Sequence, residues 1–316
     1  MHPSLHIPDG FLAPQVSIAL WVATAAVIGF ALRRLSAERS GAPARTVLMG
    51  IAGAFIFAAQ MFNFPVAAGT SGHLLGGVLA GVLLGPWAGS VVMATVVGIQ
   101  AILFQDGGLL VLGANIFNMG VIGTLGGSAV ARAASEVLGG GSLGRLLGVG
   151  FAAWLSVMAA AGLTTLQLGL SGTTDISIGL PAMLGTHALI GVGEALITIG
   201  AIGFIGASAP DILSGRISDR GASAPRRAAL GIGIAVITVG LASLFASASP
   251  DGLERVAEDL GFLDQSQGPT LSLLTDYAIP GLDGTISTVL AGVVGVAVVV
   301  AILALLGRLA AHRRSQ

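Results

Sequence analysis

Runs of roughly 20 apolar residues, set apart by arginines and by Gly/Pro breaks, restrict this chain to one kind of fold. They lie near 15–34, 46–65, 73–88, 89–105, 109–131, 146–168, 181–207, 228–247 and 286–308. In hydrocarbon every backbone amide must be satisfied within its own segment, so such runs fold as helices. The expected class is an all-α polytopic membrane protein. Composition agrees: only 9% of residues are charged, against about 25% in soluble domains. The third run is short, and its boundary with the fourth falls in Gly85-Pro86-Trp87.

Arginine predicts the orientation. Arg33, Arg34, Arg39 and Arg45 follow run one, and Arg132 and Arg145 separate runs five and six. Arg216, Arg220, Arg226 and Arg227 separate runs seven and eight, and Arg308, Arg313 and Arg314 follow run nine. With nine crossings, these all fall on one side and Arg255 alone falls opposite. The expectation is a multi-pass protein of the cell membrane, amino terminus outside and carboxyl terminus in the cytoplasm. The start does not read as a secretory signal: it lacks a basic region, and Asp9 precedes the first apolar run.

Three divisions are expected: a transmembrane domain over 1–207, a polar cytoplasmic linker over 208–227, and a two-helix module over 228–316. An acidic extracytoplasmic segment at about 248–285 joins the two helices of that module. Gly77, Gly81 and Gly85, and likewise Ala19 and Ala23, recur every four residues, a spacing that lets helices approach closely inside a bundle.

Several chemistries are excluded. Without cysteine there is no disulfide, thiolate metal site or iron–sulfur cluster. All 14 basic residues are arginine. A chain without lysine has no phosphate-binding GKS/GKT loop, Schiff base or lysine nucleophile. Uphill work would therefore need an ATPase on another subunit, and the chain itself reads as no enzyme. A net charge of −1 argues against a nucleic-acid partner.

The polar residues ahead of the first run, Met1-His2-Pro3-Ser4-Leu5-His6-Ile7-Pro8-Asp9-Gly10, suit a transition metal. An α-amine, the deprotonated amide of residue two and the Nδ1 of a histidine there make a planar three-nitrogen chelate. One more imidazole completes a square-planar site for Ni(II), Cu(II) or Co(II). As written, residue two is His2. The longer motif surrounds His6, and a start codon read as leucine would make Leu5 the initiator. His73 is the fourth-ligand candidate, since it opens run three on the side of the amino terminus. Asp106, in Phe104-Gln105-Asp106-Gly107-Gly108, could accept from an imidazole N–H. Gln60, Asn63, Asn115 and Asn118 are placed to hydrogen-bond near the same face. Glu194 is a mid-span carboxylate, two helical turns after His187, and intramembrane carboxylates are functional hypotheses by default. An alternative reading takes Gly69-Thr70-Ser71-Gly72 as the GxSG of a rhomboid-like intramembrane serine protease, with Ser71 and His187 as a dyad.

The residues His6-Ile7-Pro8-Asp9-Gly10-Phe11-Leu12, Gln60-Met61-Phe62-Asn63-Phe64-Pro65-Val66, Gly69 to Gly77, Leu84 to Ala88, Phe104 to Gly108, Gly113 to Asn115 with Asn118-Met119, and His187 to Gly191 with Gly193-Glu194 carry a resemblance. They resemble the metal-capturing S component of cobalt/nickel energy-coupling-factor transporters, the CbiM/NikM type. Pro250-Asp251-Gly252-Leu253-Glu254 resembles the signature of the PDGLE domain, similar to the small N component. The resemblance implies a seven-helix bundle followed by a two-helix hairpin. It implies metal held by the terminal amine of Leu5, the amide and imidazole of His6, and His73, with His2 as the alternative if Met1 is the true start. Ser71, Asn63, Asp106, Asn115 and Glu194 are the supporting candidates. Nickel or cobalt would be cargo, with no tightly bound cofactor. The implied partners are a transmembrane coupling subunit (T, Q-type), cytoplasmic ABC ATPase (O-type) subunits and the bilayer.

Overall fold

The structure, a computed structural model, describes residues 6–37, 42–67, 69–213, 223–268, 273–282 and 284–312. Leu5, His2 and most of the linker, 214–222, lie outside the described residues. The chain is a polytopic all-α membrane protein. Among the described residues, six helices are long and apolar enough to cross a bilayer: Pro14–Ala37, Pro86–Phe104, Ser142–Leu170, Ile176–Ser208, Ala228–Phe245 and Gly284–Leu309. Ala44–Gln60 is a shorter apolar helix.

In chain order the helices are α1 (Pro14–Ala37), α2 (Ala42–Gln60), α3 (Gly77–Leu84), α4 (Pro86–Ile99), α5 (Leu112–Asn115), α6 (Gly127–Val137), α7 (Ser142–Leu170), α8 (Ile176–Ser208), α9 (Pro210–Leu213), α10 (Ser223–Phe245), α11 (Gly252–Leu260) and α12 (Gly284–His312). A two-stranded antiparallel ribbon, Phe64–Pro65 (β1) on Ser71–Gly72 (β2), links α2 to α3. Two stretches widen to π-helical turns, Gln100–Phe104 after α4 and Ile116–Gly126 between α5 and α6. Such turns are rare and cluster at functional sites.

Each apolar run meets a helical element, but the third departs from the sequence expectation. Only Gly77–Leu84 is helical there, about 12 Å long against a hydrocarbon core of about 30 Å. The preceding residues, His73 to Gly76, are irregular. Non-helical backbone survives at membrane depth only where protein satisfies it, and here it is satisfied. The Glu194 carboxylate accepts from the Leu75 and Gly76 amides at 2.6 and 2.9 Å. Gln60 Nε2 donates to the Leu75 carbonyl at 2.7 Å. Gly85 then turns the chain into α4 at φ 80°, where no neighbour crowds it; its role is conformational.

The small-residue spacing divides in two. Gly77 lies against Met119 and Gly123, and Gly81 against Thr124 and Ser128, so these positions pack helices as expected. Ala19 is exposed and Ala23 half-buried. The buried face of α1 carries Ser17, Thr24, Ala31 and Leu35 instead. The contact of α1 with the bundle runs through other side chains: Thr24 Oγ1 donates to the Gly113 carbonyl at 2.7 Å and Trp21 Nε1 to the Leu110 carbonyl at 2.9 Å.

The C-terminal hairpin is part of the bundle. Helices α10 and α12 both pack on α2, with Gly231 against Ile51, Gly53 against Leu303, and Gly295 against Phe57. The segment between them folds back across the end of the bundle that holds the N-terminal residues. Gln267 N donates to the Asp9 carbonyl at 2.7 Å, and Phe11 meets Phe262 edge to face at 5.2 Å.

Candidate metal centre

The N-terminal segment is docked into the bundle, with Ile7, Phe11 and His6 all buried. Asn115 clamps Ile7 from both sides, accepting from its amide and donating to its carbonyl, each at 3.0 Å. Gly108 N donates to the same carbonyl at 2.9 Å. Asp9 accepts from the amides of Leu109, Leu110 and Val111 at 3.1, 2.9 and 3.3 Å, satisfying donors ahead of α5. Gly107, at φ 97°, lies so close to His6 that a Cβ there would sit 2.8 Å from the His6 Cβ. The HIPDG and QDGG sequences thus form one interlocked unit.

His6 Nδ1 donates to the Asp106 carboxylate at 2.9 Å and to its carbonyl at 3.1 Å. Burial alone would lower the His6 pKa, but the Asp106 charge and hydrogen bonds outweigh it and raise it above the usual imidazole value. Burial likewise opposes ionisation of Asp106, and His6 holds its carboxyl below the usual range. The other Asp106 oxygen accepts from the Tyr277 hydroxyl at 2.8 Å. Tyr277 stacks on Phe104 at 4.6 Å and accepts from Gln100 Nε2 at 3.2 Å.

The His73 ring stands edge-on to His6, centroids 5.4 Å apart. Its Nδ1 donates to the Leu74 carbonyl at 3.0 Å, which places the ring's lone pair on Nε2. Both imidazoles line a cavity of about 70 Å³, with Asn115, Asn118, Thr164, His187 and Asp251 as its other polar walls and Met119, Val157 and Met183 among its apolar ones. Asn118 is held by reciprocal bonds with Gln167 at 2.9 and 2.7 Å. Among the described residues no three His, Asp or Glu side chains are arranged to hold a metal ion. Two imidazoles beside a buried N-terminal segment suit a site that draws its remaining donors from the backbone.

The structure divides the expected supporting residues. Asp106 and Asn115 touch the N-terminal segment. Of the five only Asn115 lines the cavity; Asp106, Asn63, Ser71 and Glu194 do not. Asn63 accepts at its carbonyl from Ser247 N at 2.7 Å. Ser71 is fully buried; its amide donates to the Pro250 carbonyl and its hydroxyl to the Ser249 carbonyl, both at 2.8 Å. Glu194 holds the unwound backbone behind His73. The protease dyad is not formed: the Ser71 hydroxyl serves those carbonyls, and His187 Nδ1 donates to the Met183 carbonyl at 2.8 Å.

Sequence reasoning missed His187 and Asp251 as cavity residues. The His187 to Glu194 motif on α8 and the PDGLE sequence were the available signals, but their convergence needs α8 and the C-terminal segment to be adjacent in space. Reading the C-terminal hairpin as a separate module also missed Tyr277.

Comparison with known proteins accounts for nearly the whole chain. Residues 6–212 match the family model of the cobalt uptake substrate-specific transmembrane region (CbiM), and residues 225–312 match the PDGLE domain. The chain is 37% identical over 294 residues to a putative fused nickel transport protein NikMN of Archaeoglobus fulgidus, covering 92% of this chain and 94% of that one. It is 33% identical over 237 residues to the fused nickel transport protein NikMN of Rhodobacter capsulatus, covering 71% and 67%. A crystal structure of a transition metal transporter superposes with a TM-score of 0.57 at 30% identity, over 64% of this chain and 92% of that one. The chain therefore belongs to the CbiM family of cobalt uptake transmembrane proteins and carries a PDGLE domain behind the family region.

Proposed function

We propose that this chain is the substrate-capture subunit of an ATP-driven energy-coupling-factor importer for Ni(II) or Co(II). It would take the ion from outside the cell and release it inward when separate coupling and ATPase subunits turn over. Residues 1–207 would hold the ion, 208–227 would link on the cytoplasmic side, and 228–316 would form the PDGLE module. One observation carries the reading: the buried N-terminal segment places His6 beside His73 on a small cavity. The names of the relatives, nickel and cobalt transport proteins, agree with it.

The chelate would use the amine of Leu5, if that is the first residue, the amide and Nδ1 of His6, and the Nε2 of His73. His2 is the alternative if Met1 is retained. In the unliganded arrangement Nδ1 of His6 is engaged by Asp106, so metal replaces a proton and that contact. Deprotonated nitrogen donors select against Mg(II) and Ca(II).

The test is metal content in the purified protein. His6→Ala or His73→Ala should abolish bound Ni(II), while Ser71→Ala need not. Metal retained in both histidine variants would refute the site. Amino-terminal sequencing of the native protein fixes the first nitrogen.

A further inference from the structure

We infer that Tyr277, in the PDGLE domain, is a positioning residue for ion capture: its hydroxyl holds the Asp106 carboxylate in place while His6 turns from that carboxylate to the ion. This rests on the reading of His6 as a ligand.

Hydrogen counting is the first argument. The Gln100 Nε2 can only donate, and it donates to the Tyr277 oxygen at 3.2 Å. The one hydroxyl hydrogen is then committed to Asp106 Oδ2, at 2.8 Å. Asp106 Oδ1 accepts from His6 Nδ1 at 2.9 Å. The series Gln100, Tyr277, Asp106, His6 therefore has every hydrogen assigned, and it carries a residue of the PDGLE domain to the N-terminal imidazole.

Strain is the second. Among the described residues three non-glycine residues have positive φ: Gln105 at 61°, Asp276 at 55° and Tyr277 at 56°. All three adjoin this one contact, Gln105 next to Asp106 in the chain and Asp276 next to Tyr277. Such backbone persists only where its surroundings impose it, and it gathers at ligand clamps and switch regions. Here Leu274 N donates to the Leu103 carbonyl at 2.9 Å, and the Tyr277 ring stacks on Phe104 at 4.6 Å. The π-helical stretch Gln100–Phe104 thus grips the tyrosine and leads to the carboxylate it serves. A ring packed for stability alone has no need of the hydroxyl.

The difference between two states is the third. With no ion bound, Asp106 receives hydrogens from both His6 and Tyr277. An ion on His6 Nδ1 removes the first. Asp106 is only 5% exposed, so bulk water does not replace it, and of these two donors the Tyr277 hydroxyl is the one that stays. Deleting it therefore costs the loaded state more than the unloaded one, and only such a difference changes affinity. The PDGLE domain thereby acts on capture through one hydrogen bond, without touching the ion.

The test uses the full chain in detergent. Tyr277→Phe keeps the ring and removes the hydroxyl. Gly85→Ala, strained by its positive φ, is destabilised away from the site. Ni(II) affinity is measured by competition with a chelator, and melting temperature with and without Ni(II). Tyr277→Phe is expected to lower affinity about tenfold, the size of a buried hydrogen bond to a charged group, while Gly85→Ala binds as wild type. On an Asp106→Ala background the Tyr277→Phe loss should vanish, because the two residues act as a unit. Wild-type affinity in Tyr277→Phe would overturn the inference. So would an equal loss in Gly85→Ala, which would assign the effect to stability, or an undiminished Tyr277→Phe loss on the Asp106→Ala background. A Tyr277→Phe chain that does not fold would overturn it too, placing the hydroxyl in the core alone. His6→Ala separates the two readings: if it keeps metal, the site itself is wrong; if it loses metal while Tyr277→Phe binds normally, only the role of Tyr277 fails.

Discussion

The Tyr277 hydroxyl donates to the Asp106 carboxylate at 2.8 Å, across 171 residues of sequence, and Asp106 in turn accepts from His6. Tyr277 is the sole tyrosine of the chain. It and Asp276 both have positive φ, 56° and 55°, a conformation that non-glycine residues adopt only when the surroundings hold them there. The C-terminal segment thus reaches the N-terminal histidine through one carboxylate.

Replacing Tyr277 with phenylalanine keeps the ring stack on Phe104 and deletes the donor. A buried carboxylate loses one hydrogen bond from a neutral donor, at a cost of roughly 1–3 kcal/mol. The unfolding temperature of the unloaded protein should fall accordingly. An unchanged value would show that the bond contributes nothing net.

Metal binding should weaken in acid, and Asp106 should set where. Asp106 raises the pKa of His6 despite burial, which alone would lower it. A proton therefore competes with metal as pH falls through a value above the ordinary 6.5. Asp106→Asn removes the raising charge and leaves the burial, so the acid limit of Ni(II) binding should move to lower pH. The unloaded protein behaves oppositely. The raised His6 stabilises it most below the unfolded-state value and loses that contribution as pH rises through the folded one. The lowered Asp106 contributes above its ordinary 3.8 and fails only in stronger acid. Equilibrium dialysis and thermal melts across pH read both; an Asp106→Asn binding profile that coincides with wild type would contradict the coupling.

Glu194→Gln should disturb the proposed metal site although Glu194 does not line the cavity. Both carboxylate oxygens are used, on the Leu75 and Gly76 amides, and a glutamine turns one acceptor into a donor. One buried amide is left facing another donor, again at roughly 1–3 kcal/mol. The expected outcome is a lower melting temperature together with reduced Ni(II) occupancy, because His73 opens the same unwound stretch. Full occupancy with an unchanged melt would rule out this support.

Gly77→Ala should be poorly tolerated. Its Cβ would sit 2.4 Å from the Met119 carbonyl oxygen and 2.8 Å from the Gly123 Cα, both backbone atoms. The helices must separate, at about 1–3 kcal/mol. Gly85→Ala should also destabilise, through its positive φ rather than through contact. Melting temperatures of the two variants, compared with Gly126→Ala, which meets nothing within 4 Å, distinguish close approach from backbone strain.

What the sequence determined by itself was the class of fold and the chemistry it excludes. Long apolar runs leave the backbone no option but helix, and missing lysine and cysteine remove whole reaction types. His6, His73, Asp106 and Asn115 were legible as well, because they sit in short polar motifs that interrupt hydrocarbon and stand out for that reason. The tertiary structure decided what depends on which elements touch. Glu194 reads from sequence as a functional carboxylate, and the fold makes it the partner of two amides in an unwound crossing. Ser71 reads as a nucleophile or cavity residue, and the fold makes it the anchor for Ser249 and Pro250. Asp251 and His187 reach the cavity, and Tyr277 reaches the His6–Asp106 pair, from positions far apart in the chain. Periodicity reports which face of a segment is apolar; it carries no information about the neighbour that face meets, and buried hydrogen bonds between distant segments are set by that neighbour.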